Sequence, residues 1–284
     1  MLVWLDHAAC QDVTRVGGKA ANLSRLASVY RVPPGFCLTT EAYAAWAQGR
    51  DNPTVPTAAR ILVRTAYAAL GERYHLEEPR VAVRSSAVGE DGQNASFAGQ
   101  YETYLNLVGA DAVVEAIGRC WASAQAERVR TYHQQHGLVP TLLAVLVQQL
   151  VAADMSLVAF SANPVTNDRA EVVINASWGL GESVVSGAVT PDTYIVRKDD
   201  LSLTTCHIAD KQCMTVMASH GVKEVPIPLP MRLQQTLSEA QASEVAQLAC
   251  TLEHHMGWPV DIECAYQGDT LYLLQCRPIS TLHG

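Results

Sequence analysis

Apolar and polar positions change rhythm midway along the chain. In the first half, apolar residues recur three and four positions apart. Leu23, Leu26, Ala27 and Tyr30 follow Gly17-Gly18-Lys19, and Val113, Val114, Ile117, Trp121 and Ala124 recur further on. That period lays one apolar stripe along a helix. It predicts helices from Gly17 to the Pro33-Pro34-Gly35 stop, over 40–48, over 57–74 and over 112–135. Short strands are predicted at 3–5, 36–39 and 81–84, the last running into a small, polar stretch at 85–100. The second half is dominated by strand-like runs at 142–151, 156–162, 171–177, 193–197 and 203–207. Gly, Pro, Asn or Asp bounds most of them, which predicts an antiparallel sheet. A polar linker with Pro226, Pro228 and Pro230 follows. Ser238 and Gln241 then form a capping-box pattern that opens a helix carrying Val245, Leu248, Leu252 and Met256. Strands at 260–266 and 270–276 close the chain. The fold class expected is α+β in two lobes, helix-rich over 1–140 and antiparallel-sheet-rich over 141–284.

The closing strands carry the most readable chemistry. A three-residue loop at 268–270 places Asp261 opposite Arg277 and Glu263 opposite Gln275. Side chains alternate between the faces of a strand, so these four polar groups share one face. Ile262, Cys264, Leu274 and Cys276 share the other, apolar face. A one-residue slip would mix the two sets. Two carboxylates and an amide oxygen are the hard oxygens that Mg²⁺ takes, and a guanidinium beside them suits a phosphate. The same residues also fit a solvent-facing hairpin with an Asp261–Arg277 cross-strand pair.

Charge and cysteine usage narrow the function class. The 284 residues carry 20 Lys+Arg against 28 Asp+Glu, a net charge of −8. A body this acidic is poorly suited to nucleic acid or an anionic membrane, so an anion site must be a local basic patch. No run approaches the ~18 apolar residues of a membrane span, and the first residues show no signal-peptide pattern. The eight cysteines include no Cys-x-x-Cys pair and are expected to be reduced core residues of a cytoplasmic protein. No nucleic-acid or membrane partner is expected.

Two segments could supply the basic patch. In Gly17-Gly18-Lys19, glycines let backbone N–H groups approach an anion at a helix start, and the lysine adds a full charge. The outer glycine spacing and the hydroxyl of a Walker A loop are absent, and Ala20 follows the lysine. A capped helix with a surface lysine accounts for it equally. Arg84 ends a strand just before Ser85-Ser86, ahead of a segment that could cover phosphates or be a plain surface loop. Gly179-Leu180-Gly181 lacks the third glycine of a dinucleotide fingerprint, and His254-His255 has no metal-ligand spacing.

The order of these motifs is more specific than any one of them. Gly-Gly-Lys-Ala-Ala-Asn-Leu (17–23), Val-Pro-Pro-Gly-Phe (32–36), Val-Arg-Ser-Ser-Ala (83–87) and Ser-Phe-Ala-Gly-Gln-Tyr-Glu-Thr (96–103) come first. Asn-Pro-Val-Thr (163–166), Gly-Leu-Gly-Glu (179–182), Thr-Pro-Asp-Thr-Tyr (190–194), Asp-Ile-Glu (261–263) and Leu-Gln-Cys-Arg-Pro-Ile (274–279) follow. Together they resemble the N-terminal ATP-binding domain of the phosphoenolpyruvate synthase, pyruvate phosphate dikinase and rifampin phosphotransferase family. Val260 stands where that family usually has Gln, and Cys276 where Ser or Thr is common.

The resemblance implies an ATP-grasp fold with ATP between two lobes, and the cofactors ATP and Mg²⁺. It casts Lys19 and Arg84 as triphosphate ligands, Glu263 and Gln275 as Mg²⁺–ATP ligands, and Arg277 as a further phosphate contact, with Asp261 beside them. Lys19, Arg84 and Arg277 are thereby the catalytic cations. Residues 147–151, with Gln148, Gln149, Leu150 and Val151, become the adenine-contacting edge, and Ser96 and Gly99 part of a phosphate-covering loop. The family's swivelling domain with its phosphorylatable histidine, and its acceptor domain, do not occur in these 284 residues. The resemblance thus implies a dikinase-type module that forms AMP and phosphate, with a phosphohistidine carrier on another domain or chain and a small-molecule acceptor. A free-standing ligase or small-molecule kinase releasing ADP, and a non-catalytic nucleotide-binding subunit, are the alternatives. The retained Lys, Arg, Glu and Gln set disfavours the last.

Overall fold

Neither half of the chain is all-helical or all-sheet: each builds its own antiparallel sheet. In the computed structural model the described residues are 1–49, 54–89, 102–125 and 142–282. They form two compact units, Met1–Leu150 with Ser219–Gly221, and Val151–Ala218 with Val222–Gly284. The sequence sets the division at 140/141, whereas strand Leu143–Gln149 lies inside the first sheet. An unbroken apolar run announces a buried strand but carries no label for the sheet it joins.

In the first unit, β1 (Leu2–Trp4), β2 (Gly35–Leu38), β3 (Val81–Ala87), β4 (Thr103–Leu107) and β5 (Leu143–Gln149) form a sheet in the order β1-β2-β5-β3-β4. Every pairing in it is antiparallel. Helices α2 (Thr40–Ala47), α3 (Thr57–Tyr74) and α4 (Ala110–Ala124) supply the main core. There Trp46, Val63, Leu70, Ile117 and Trp121 meet Phe36, Val83 and Val145. Helix α1 (Val13–Leu26) packs against β3 and β5. It buries Val16, Ala20, Leu23 and Leu26, so β3 is covered on both faces. The predicted helix over 112–135 corresponds to α4, and its stretch beyond residue 125 lies outside the described residues.

In the second unit, β6 (Met155–Phe160), β7 (Glu171–Trp178), β8 (Asp192–Arg197), β9 (Leu203–His207), β12 (Val260–Gln267) and β13 (Thr270–Pro278) form one sheet. Its order is β13-β12-β6-β7-β8-β9, antiparallel throughout. A short helix, α5 (Glu182–Val185), leaves β7. The proline-rich linker is instead a hairpin, β10 (Cys213–Met217) with β11 (Val222–Pro226), followed by the short helix α6 (Leu229–Arg232). Pro226 tolerates the strand because it stands at its last position. Helix α7 (Glu239–Met256) opens with the expected capping box, Ser238 and Gln241 each satisfying the other's backbone N–H. It packs Val245, Ala246, Ala249 and Leu252 on one face of the large sheet.

Asp192 and Lys211 hold this unit together from inside. Both side chains are wholly buried. Asp192 Oδ1 accepts from Lys211 Nζ (2.5 Å) and the Ala209 amide (2.9 Å). Its Oδ2 accepts from the Thr236 amide and hydroxyl, at 2.8 and 2.7 Å. One carboxylate thus ties β8 to the segments before β10 and before α7. All eight cysteines carry free thiols, as expected, but Cys206 is exposed rather than in a core. Among the described residues no helix is long and apolar enough to cross a membrane.

Removing one partner of such a pair leaves the other charge buried and uncompensated, at a cost of about 3–5 kcal/mol. Lys211→Met is expected to lower the urea unfolding midpoint by that equivalent. An unchanged midpoint would show that Asp192 does not need its counter-charge.

Candidate functional site

The predicted site residues fall into one group in each unit. In the first unit the helix start differs from the expected one. Asp12 caps α1, its carboxylate accepting from the Thr14 amide at 3.0 Å. The helix is then broken at Gly17, whose φ of 75° and ψ of 170° are not helical. A second helical segment begins there, so Gly18, Lys19 and Ala20 stand in its first turn, where N–H groups lack intrahelical partners.

Glycine at 17 is dictated by β3. A Cβ on Gly17 would lie 2.1 Å from the Ser86 carbonyl oxygen and 2.5 Å from its hydroxyl. That approach pins the turn to the strand at two points. The Ala20 amide donates to Ser86 Oγ (3.1 Å), and Lys19 Nζ donates to the Ser85 carbonyl (3.1 Å). Lys19 is buried, only 7% exposed, rather than the surface lysine of the simpler reading. Arg84 is half-buried on the same strand, one residue before Ser85. Alternation puts Arg84 and Ser86 on one face of β3. The structure therefore brings Lys19 and Arg84 to one strand segment, on a turn that only glycine can make.

The expected adenine edge is divided. Gln148 is buried on β5, its amide donating to the Pro33 carbonyl (3.0 Å). The backbone amides of Gln149 and Leu150 donate to Pro34 and Arg80, both at 2.8 Å. Val151 belongs to the second unit. Ser96 and Gly99 lie outside the described residues.

In the second unit, Asp261 faces Arg277 and Glu263 faces Gln275 on β12 and β13, as the sequence predicts. The route to that register differs. The turn has two residues, Gly268 and Asp269, with Gln267 opposite Thr270. Gly268 takes a φ of 56° at the first turn position, where tight hairpins favour glycine. A β-bulge between Glu263 and Cys264 then absorbs Leu274, so Leu273, not Leu274, faces Cys264 on the buried side. The extra residue restores the predicted pairing at the polar end.

The polar face is not a solvated hairpin. Asp261 and Gln275 are buried, and Glu263 and Arg277 are half-buried. Arg277 Nε and Nη2 both reach Asp261 Oδ2 at 2.8 Å. Burial pushes the Asp261 carboxyl above its usual range, against the pull of Arg277. Its Oδ1 is buried without a hydrogen-bond partner. Such an atom costs free energy unless a cation or a water satisfies it. Two carboxylates, one of them carrying that orphaned oxygen, and an amide oxygen fit Mg²⁺. No group of three or more His, Cys, Asp and Glu side chains arranged for a metal occurs among the described residues. The candidate set instead rests on two carboxylates and one amide.

The same face continues across the sheet in register. Glu263 pairs with Val158, Val158 with Asn175, and Asn175 with Thr193. The Thr193 hydroxyl donates to Asn175 Oδ1 at 3.0 Å. The sequence reading passed over Asn175 and Ser86. A polar residue within Val172-Val173-Ile174-Asn175, and a second serine after Arg84, were the available signals.

Comparison with known proteins shows what the chain is similar to. Residues 48–284 match the family described as pyruvate phosphate dikinase, AMP/ATP-binding domain. The chain is 37% identical to phosphoenolpyruvate synthase of Pyrococcus furiosus, over 98% of this chain and 44% of that protein. It is 37% identical to rifampicin phosphotransferase of Streptomyces sviceus, over 95% of this chain and 35% of that protein. With D-alanyl-alanine synthetase A from Vibrio cholerae it shares 14% identity at a TM-score of 0.37, covering 94% and 61% of the two chains. The chain spans less than half the length of the curated relatives it matches.

The Gly17 turn makes its own test. Positive φ alone costs a side chain about 1–3 kcal/mol. Gly187 has a φ of 71° with nothing within 4 Å of its Cβ position. Gly17→Ala is therefore expected to lower the thermal midpoint more than Gly187→Ala does. Equal shifts in calorimetric melts would show that contact with Ser86 sets no limit on residue 17.

Proposed function

Because the chain belongs to the pyruvate phosphate dikinase AMP/ATP-binding domain family, we propose that it binds Mg²⁺–ATP and activates it for phosphoryl transfer. Lys19 and Arg84 engage the phosphates, and Arg277 is a further phosphate contact. Glu263 and Gln275 hold the Mg²⁺, with Asp261 beside them. The ion, when bound, neutralises charge on the phosphate oxygens. The observation that carries this reading is the polar end of the β12–β13 hairpin, where a bulge keeps Glu263 opposite Gln275 and leaves Asp261 Oδ1 buried and unpaired.

The chain's own contribution is positioning and electrostatics, which dominate phosphoryl transfer. Asp261 orients Arg277 through two bonds to one oxygen. The Gly17 turn orients Lys19, and burial keeps water from weakening its charge. Residues 147–151 contact the adenine, and Ser96 and Gly99 belong to the segment that covers the phosphates. The fold is of ATP-grasp type.

The reaction is of the dikinase type. The bond from the β-phosphorus to the oxygen bridging it to the α-phosphorus breaks as the imidazole nitrogen takes the β-phosphoryl, that oxygen leaves with AMP, and water cleaves the β–γ phosphoanhydride to release the γ-phosphoryl as inorganic phosphate. AMP is the nucleotide product. The histidine is carried by another domain or chain, and the final acceptor is a small molecule. The share of each relative that this chain covers, 44% and 35% in the two named, leaves room for such domains.

Product analysis tests the reading. With ATP, Mg²⁺ and a phosphohistidine carrier domain, the chain is expected to yield AMP and inorganic phosphate by chromatography. Glu263→Ala and Lys19→Ala are each expected to abolish that turnover, with native circular dichroism retained. ADP as the sole product points to a ligase or small-molecule kinase. Wild-type ATP consumption by either variant refutes the assigned roles.

A further inference from the structure

We propose that Ser86 is a positioning residue for the phosphate-binding turn: its hydroxyl caps, from a neighbouring strand, the helical segment that starts at Gly17, and thereby fixes the direction of Lys19. The inference rests on the reading that Lys19 engages the phosphates of ATP.

A helix normally receives its first cap from a Ser, Thr, Asp or Asn just before it. The segment after Gly17 cannot, because Gly17 has no side chain and Val16 precedes it. The acceptor comes instead from Ser86, 66 positions further on in sequence, whose Oγ takes the Ala20 N–H at 3.1 Å. Ser86 is completely buried, so water does not compete for that bond. The closeness is enforced from both sides. A Cβ on Gly17 would stand 2.1 Å from the Ser86 carbonyl oxygen, so glycine permits the contact and the hydroxyl gives it a direction. Lys19 Nζ is tied to the adjacent residue through the Ser85 carbonyl at 3.1 Å.

Ser85 and Ser86 thus divide the work. The Ser85 carbonyl holds the ammonium end of Lys19, and the Ser86 hydroxyl holds the helix from which that side chain springs. Arg84 precedes both on β3, so the contacts that aim Lys19 also join it to the strand that carries the second cation. A misplacement of a positioning group by a fraction of an ångström is enough to weaken binding of a multiply charged ligand.

The test is a double-variant cycle on binding of Mg²⁺–ATP, followed by isothermal titration calorimetry on the intact chain. Ser86→Ala is expected to raise the dissociation constant roughly tenfold. Lys19→Met is expected to raise it further, and adding Ser86→Ala to Lys19→Met to raise it no more. A cap that served stability alone would act by the same factor in both backgrounds. Should Ser86→Ala fail to fold, Ser86→Cys, which keeps the volume and offers only a weak acceptor, replaces it in the cycle. Wild-type affinity in the Ser86 variant, or an equal factor with and without Lys19, overturns the inference while leaving the role of Lys19 intact. Wild-type affinity in Lys19→Met overturns both.

Discussion

The contact on which the first unit's chemistry depends is the approach of Gly17 to Ser86. A chain of net charge −8 repels polyanions, so its cations must be concentrated where a phosphate is to sit. Placing a turn directly on a strand achieves that concentration. It needs a residue without a Cβ, a backbone φ of 75°, and an acceptor for the amide exposed where the helix restarts. Lys19 then gives its ammonium to the Ser85 carbonyl, and Arg84 is the residue just before Ser85 on β3.

The second unit solves the complementary problem of holding oxygens rather than cations. An antiparallel pair lines up facing residues, and alternation sorts polar from apolar ones. Helix α7 covers the apolar face, while Asp261, Glu263, Gln275 and Arg277 share the other. The bulge at Leu274 is the device that makes a two-residue turn compatible with that pairing. Asp261 serves two purposes there. One oxygen fixes Arg277, and the other is left buried and unmatched, a local cost that a bound cation would relieve.

Much of this was legible in the sequence where local rules suffice. The span of α3, the capping box at Ser238 and the pairing of Asp261 with Arg277 follow from periodicity, cap chemistry and alternation. What escaped depends on contacts distant in sequence. Strand β5 reads as a strand from its apolar run, but its place between β2 and β3 is a tertiary choice. The β10–β11 hairpin was hidden by prolines that tolerate a strand's end. Alternation alone could not separate Leu273 from Leu274, because an inserted residue leaves the flanking pattern intact. Ser86 looked like part of a small, polar stretch, since its partner Ala20 is 66 residues away.

The most direct test titrates a non-hydrolysable ATP analogue into the wild type, Lys19→Met and Glu263→Gln, with and without Mg²⁺. The account predicts that Lys19→Met weakens binding in both conditions, and that Glu263→Gln loses only the strengthening that Mg²⁺ brings. A Glu263→Gln chain that gains as much affinity from Mg²⁺ as the wild type would contradict it.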